Sequence, residues 1–180
     1  IVDGGHSLKS KSSFLPSSAS QAKPPQLLAH YDFPDDWEIL LVILDSNNTV
    51  NGQKEVNIFQ DYCPVPKNEV EQTSHIIFMN MIPFLLERDL PAFGHSIDEI
   101  QKRGFKNVEV SLQSQQIRDL MDKLREIGAY GVGMSSFGPT VYSVFDKNNK
   151  HIVEEIKEYV GNRGIVLTTK AQNYGHEIKK

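Results

Sequence analysis

The 180-residue sequence has a single cysteine, Cys63. One thiol excludes an intramolecular disulfide framework and any multi-cysteine zinc site, and it suits a reducing cytoplasm. Positive charge is not in excess either. The 19 Lys and Arg against 23 Asp and Glu leave a net charge of −4, so nothing advertises a nucleic-acid partner or an anionic membrane surface. No apolar run approaches the roughly 20 residues that span a bilayer. The histidines are scattered, and His30, His75, His95, His151 and His176 show no HExxH or other ligand spacing, so a metal–histidine site is not expected. There is no initiator methionine, signal-peptide pattern or tag at Ile1-Val2-Asp3-Gly4-Gly5-His6, and the sequence reads as beginning mid-protein.

What is present is core-forming material. Apolar residues make up 39%, charged residues 23%, and mean hydropathy is −0.38. These values fit one ordinary domain, or a domain plus part of another. Residues 7–36 are rich in Ser, Pro and Lys and read as a linker or surface loop, with Phe14, Leu15, Leu27, Leu28 and Tyr31 expected to pack onto a neighbour. Trp37 to Leu44 is a near-continuous apolar run of strand length, the pattern of a strand covered on both faces.

After a turn at Asn47-Asn48 and an irregular stretch through Pro66, a long helix is predicted from Asn68 to Glu87. Asn68 and Glu71 give its capping box, and Pro83 should loosen its last turns. Its apolar positions Ile76 to Met79 suit either core burial or a dimer face. A second helix covers Pro91 to Lys102 and ends near Gly104. A third runs from Gln115 to Ile127, capped by Ser114, with Ile117, Leu120, Met121, Leu124 and Ile127 at helical spacing and Gly128 as its left-handed terminus. Gly131 to Gly138 reads as a glycine-serine turn, Pro139 to Phe145 as a strand, Ile152 to Val160 as a helix ended by Gly161, and Ile165 to Thr169 as a closing strand. The order predicts an α+β fold with helices packed on one face of one sheet.

Four stretches could carry chemistry. In Gly131-Val132-Gly133-Met134-Ser135-Ser136-Phe137-Gly138, glycines allow close backbone approach, and amides with hydroxyls can cradle a phosphate or carboxylate. It is not a dinucleotide fingerprint, because Ser136 replaces the third glycine and the stretch leads from helix to strand. On spacing alone, a tight helix-to-strand connection using glycine for backbone geometry is the commoner explanation. Asp3, His6 and Lys9 surround a Gly-Gly turn and could bind metal–diphosphate or transfer a proton, or be solvated turn residues. Lys9 to Ser13 with Ser17 and Ser18 suits phosphate or a plain loop. Asp32, Asp35 and Asp36 could hold Mg²⁺, although acids beside prolines also form ordinary turns. Cys63 has no nearby His and reads as a packing residue.

A combination of segments adds what spacing cannot. Ile1 to His6, Phe14-Leu15-Pro16-Ser17-Ser18, Tyr31 to Trp37, Gly104-Phe105-Lys106-Asn107-Val108-Glu109-Val110 and Gly131 through Tyr142 resemble the β-ribofuranosylaminobenzene 5′-phosphate synthases. The resemblance extends from Ile1 to about Ile178. That family is similar to the GHMP kinases in fold, and Gly131–Gly138 falls where those kinases carry their third glycine motif. The resemblance implies a GHMP kinase-like C-terminal domain with a ferredoxin-like sheet at residues 37–180, and the tail of a catalytic N-terminal domain at residues 1–36. It implies a cytoplasmic archaeal pentosyltransferase of methanopterin biosynthesis. Such an enzyme joins phosphoribosyl diphosphate to 4-aminobenzoate or 4-hydroxybenzoate, with Mg²⁺, and releases CO₂ and diphosphate. Gly131, Gly133, Ser135, Ser136 and Gly138 are then expected to bind phosphate or carboxylate, and Asp3, His6 and Lys9 to form the catalytic cluster. The expected partners are these small molecules and a second copy of the chain, with no nucleic acid and no membrane. This stretch of protein is expected to have little activity by itself. The alternatives are an ATP-dependent small-molecule kinase of the GHMP type and a non-catalytic binding module. The usual phosphoribosyltransferase signature, two acids ending an apolar strand before a Thr-Gly loop, is absent from the sequence.

Overall fold

The computed structural model describes residues 1–4, 13–16, 19–45, 50 and 52–175. Its main sheet is built around β3 (Trp37–Leu44), which pairs antiparallel on one side with β5 (Thr140–Asp146) and on the other with β6 (Gly164–Thr169). β4 (Tyr130–Met134) adds outside β5, giving the order β4-β5-β3-β6. Relabelled by chain order, that is 2-3-1-4, the arrangement of a ferredoxin-like split βαβ fold. The apolar run of β3 is central as predicted, and Leu40 and Val42 are fully buried. A second sheet pairs β1 (Val2–Asp3) with β2 (Leu27–Ala29).

The crossover helices of this fold are α6 (Gln115–Glu126) and α7 (His151–Val160). Ile117, Leu120, Met121 and Leu124 of α6, and Ile152, Ile156 and Val160 of α7, pack with Leu40, Val42, Val141 and Phe145 on one face of the sheet. The predicted spacing is therefore the observed buried stripe. Gly128 ends this helix with φ +86°, and the Ala129 amide reaches back to the Leu124 carbonyl at 3.0 Å. Ser114 occupies the N-cap position, but its hydroxyl makes no cap hydrogen bond.

The other face is not bare. Between β3 and α6 the chain inserts α1 (Gly52–Tyr62), α2 (Lys67–Ile76), a π turn at Ile77–Met81, α3 (Ile82–Glu87), α4 (Leu90–Gln101) and α5 (Gly104–Ser111). From α4, Leu90, Phe93 and Ile97 pack on Trp37 and Val144, so helices flank the sheet on both sides. α4 is capped by Asp89, whose carboxylate accepts from the Ala92 amide at 3.0 Å.

Several local expectations give way. The stretch before Pro66 is helical rather than irregular over Gly52–Tyr62; Ile58 is its only buried residue, so the apolar pattern that marks a helix is faint. The capping box at Asn68 does not form. Pro66 takes the N-cap position with φ −53°, Glu71 pairs instead with Lys67 at 3.4 Å, and Glu69 accepts from the Gly104 amide at 3.1 Å. Gly104, with φ +53°, therefore opens α5 rather than only closing α4. Pro83 acts as expected on the helix before it. Its missing donor coincides with a π turn, in which the Ile82 amide bonds the Ile77 carbonyl. Ile76 of this helix is buried, whereas Phe78 and Met79 are exposed. Phe14, Leu27 and Leu28, expected to be covered, are also exposed. The turn at Asn47-Asn48 lies outside the described residues.

Candidate functional site

The predicted glycine-serine turn divides in two. Tyr130–Met134 is strand β4, and only residues 135–139 turn. Gly131 and Gly133 are buried in the strand, and their lack of a side chain is a packing requirement. Gly131 has φ +60°, and a Cβ there would meet the Ile97 side chain at 2.8 Å. A Cβ on Gly133 would collide with the Tyr142 ring and hydroxyl. On α4, Gly94 answers Gly131, since a Cβ at Gly94 would stand 2.7 Å from the Gly131 nitrogen. Gly94 and Gly131 thus let a helix lie directly on a strand, and Gly133 makes room for Tyr142 of β5.

Ser135, Ser136 and Gly138 do come together in the turn. The Ser135 amide donates to the Thr140 carbonyl at 2.9 Å, and the Gly138 amide to the Ser135 carbonyl at 2.8 Å. Ser136 takes φ +48° and Gly138 φ +74°. Among the described residues, the amides of Ser136 and Phe137 donate to no other group. Both serines are exposed. Two uncommitted amides and two exposed hydroxyls on a turn with left-handed residues form a donor set suited to an anion.

The turn is held from behind by residues that the sequence did not single out. Gln101 of α4 accepts from the Met134 amide at 3.1 Å, and Gln113 donates through Nε2 to the Phe137 carbonyl. Both glutamines are buried. Gln113 also lies against Gly138, where a Cβ would meet its Cδ at 3.4 Å. Its Oε1 has no hydrogen-bond partner among the described residues. Phe137 is buried edge-on to Phe105 at 5.9 Å, and Phe105 stacks on Phe59 at 4.5 Å, so α5 and α1 pin the turn through aromatic contacts. Lys106 of α5 brings positive charge. Its Nζ donates to the Ser136 carbonyl at 3.3 Å and pairs with the buried Glu109 at 2.6 Å. Burial, with the carboxylates of Asp98 and Glu109 nearby, holds the Tyr142 phenol above its usual pKa.

The second predicted cluster is only partly described. Asp3 is exposed on β1, and His6 and Lys9 lie outside the described residues. Asp3 borders a cavity of about 750 Å³, whose walls include Phe33, Ile77, Met81, Leu85 and Phe93. Asp32, Asp35 and Asp36 do not converge: the Trp37 amide closes their turn on the Pro34 carbonyl at 3.2 Å, and Asp36 faces Arg88 at 3.7 Å. Among the described residues no three His, Cys, Asp or Glu come together as a metal site, and no helix is long and apolar enough to cross a membrane.

Residues 81–165 match the family model of GHMP kinases, C terminal. Over that stretch the chain is similar to the C-terminal domain of the GHMP kinases. Solved structures agree on the fold. The homoserine kinase of Cytophaga hutchinsonii superposes with a TM-score of 0.59 at 15% identity, over 78% of this chain and 44% of that one. The putative homoserine kinase of Listeria monocytogenes gives 0.55 at 19% identity, over 82% and 45%. Sequence likeness points to a different set of proteins. The chain is 49% identical over 97% of its length to the beta-ribofuranosylphenol 5'-phosphate synthase of Methanothermobacter thermautotrophicus. It is 44% identical over 99% to the synthase of that name from Archaeoglobus fulgidus, and 45% over 99% to that from Methanocaldococcus jannaschii. The chain spans about half the length of these curated relatives, 53%, 56% and 54%.

Proposed function

We propose that this chain belongs to a pentosyltransferase that condenses phosphoribosyl diphosphate with 4-hydroxybenzoate or 4-aminobenzoate, and that its 135–138 turn holds the phosphate of the ribosyl substrate. The observation that supports the reading most is identity of 44–49% along nearly the whole chain to three proteins named as ribofuranosylphenol phosphate synthases. In this reading residues 1–36 belong to a preceding catalytic domain and residues 37–180 form the GHMP-type domain of a cytoplasmic, homodimeric enzyme of methanopterin synthesis.

The chemistry asks for electrostatics rather than a protein nucleophile. The ribose C1–O bond breaks with its electron pair leaving on diphosphate, and a cationic sugar centre develops. A ring carbon of the aromatic acid supplies the electrons for the new C–C bond. The bond to the carboxyl carbon then returns its pair to the ring as CO₂ departs. Backbone amides, hydroxyls and a nearby ammonium stabilise anionic phosphate without reorganising during reaction. The Ser136 and Phe137 amides, the Ser135 and Ser136 hydroxyls and Lys106 supply that set. Gly131 serves it indirectly, by letting α4 close on β4 behind the turn, and Gly133 by leaving room for Tyr142. Departure of diphosphate calls for a divalent cation; among the described residues no acidic cluster fits one.

The test is direct. Full-length protein supplied with 4-hydroxybenzoate or 4-aminobenzoate, phosphoribosyl diphosphate and Mg²⁺ should release CO₂ and diphosphate in equal amounts. Formation of ADP from ATP and a small alcohol, without CO₂, would show a GHMP kinase instead.

A further inference from the structure

Every carbonyl of residues 135–137 is taken by a donor of the protein. The Gly138 amide donates to the Ser135 carbonyl at 2.8 Å, Lys106 Nζ to the Ser136 carbonyl at 3.3 Å, and Gln113 Nε2 to the Phe137 carbonyl. We propose that Gln113 is a positioning residue of the phosphate site, whose carboxamide orients the Ser136 amide without touching the ligand. This rests on the reading above that the 135–138 turn holds phosphate.

The peptides joining residues 135 to 138 are trans, and in a trans peptide the carbonyl and the N–H point opposite ways. Gln113 fixes the Phe137–Gly138 peptide by its carbonyl. The N–H of that same peptide, on Gly138, fixes the Ser135–Ser136 peptide by its carbonyl. The N–H of this second peptide, on Ser136, is thereby turned away from both bonds and left as a donor to an anion. Gln113 can act as an anchor because it is itself fixed where α5 meets α6. Its amide donates to the Val110 carbonyl at 3.1 Å, and its carbonyl accepts from the Arg118 guanidinium. The residue is 4% exposed. Its Oε1 is buried with no hydrogen-bond partner among the described residues. An orphaned buried acceptor is unfavourable, and a Leu or Met there for packing alone would not carry one. The donor end of the carboxamide is what the turn uses.

The test titrates full-length, ¹⁵N-labelled protein with phosphoribosyl diphosphate and Mg²⁺. In wild type the Ser136 amide signal should shift on binding. Gln113→Met removes the donor, and Gln113→Glu keeps the shape but puts an acceptor in the donor's place. Each should weaken phosphoribosyl diphosphate binding at least about fivefold, with KM for the aromatic acid unchanged, and should move the Ser136 amide signal before any ligand is added. Val160→Ala, which opens the core on α7, should lower the melting temperature and bind phosphoribosyl diphosphate as wild type does, so lost stability alone is told apart. Unmutated protein supplies a measurement that does not depend on the variants folding. Its Gln113 carboxamide hydrogens should exchange more slowly with solvent when phosphoribosyl diphosphate is bound, because coupling between two sites is reciprocal. Unchanged affinity in a folded Gln113→Met protein, or equal carboxamide exchange with and without ligand, overturns the inference and leaves the phosphate turn standing. Binding of phosphoribosyl diphosphate to wild type with an unmoved Ser136 amide signal removes the phosphate from the turn, and the inference with it.

Discussion

Gln101 Oε1 accepts a hydrogen bond from the Met134 amide at 3.1 Å, joining the last residue of α4 to the last residue of β4. Both groups are buried, so neither can turn to water if the other is removed. Gln101→Leu should therefore cost about 1–3 kcal/mol, the penalty of a buried amide left without an acceptor. Urea unfolding measures it. In the active protein the same variant should raise KM for phosphoribosyl diphosphate, because the strand end that leads into the turn is no longer fixed.

The glycines packed behind the turn are predicted to differ in what they tolerate. At Gly94 a new Cβ meets backbone, the Gly131 nitrogen at 2.7 Å, which cannot move aside. At Gly133 it meets the outer end of the Tyr142 side chain, which can. Overpacking costs of about 1–3 kcal/mol are ordinary, so Gly94→Ala should fall at or above the upper end and Gly133→Ala nearer the lower. Thermal melts of the two proteins decide the order.

Lys106 is predicted to act through charge beside the turn. Lys106→Gln should weaken binding of phosphoribosyl diphosphate about tenfold, or about 1.4 kcal/mol, with a smaller effect on the aromatic acid. Isothermal titration with each substrate measures both. The variant also leaves the buried Glu109 without its cation, so a loss of stability should accompany the loss of affinity.

Acid stability has an identifiable contributor. Hydrogen bonds from Lys102, and then from Arg103, hold the Glu99 carboxyl at about pKa 2, down from 4.5. A depressed folded-state pKa stabilises the fold above the unfolded value, and that contribution is lost as pH falls from about 4.5 towards 2. The group is partly exposed, so the gain at neutral pH is about 1 kcal/mol, the scale of a screened surface pair. Glu99→Gln should flatten the stability curve between pH 4.5 and 2 and leave its shape above pH 6 unchanged.

Much of the fold was legible because its central elements have unmistakable patterns. The Trp37–Leu44 run announced a strand covered on both sides, and the Ile117–Leu124 spacing announced a helix with one buried stripe. Strand β4 was not legible. Its glycines look like turn residues, and only their packing against Gly94, Ile97 and Tyr142 reveals that small size rather than flexibility is what they supply. α1 was missed because Ile58 is its one buried residue. The supports of the candidate site were hidden for another reason. Gln101, Lys106 and Gln113 lie 20 or more positions before the turn in sequence, and no local spacing links them to it. A signal existed in the Gly104-Phe105-Lys106 segment, which resembled the synthases although its role at the turn was not evident.

The most direct measurement follows the carboxyl carbon. Full-length protein is incubated with carboxyl-labelled 4-hydroxybenzoate, phosphoribosyl diphosphate and Mg²⁺, and released CO₂ is counted for wild type and for Lys106→Gln. The account predicts one CO₂ per diphosphate from wild type, and a rate at limiting phosphoribosyl diphosphate reduced about tenfold in the variant. No CO₂ from folded wild-type protein, or equal rates from the two proteins at limiting phosphoribosyl diphosphate, would contradict it.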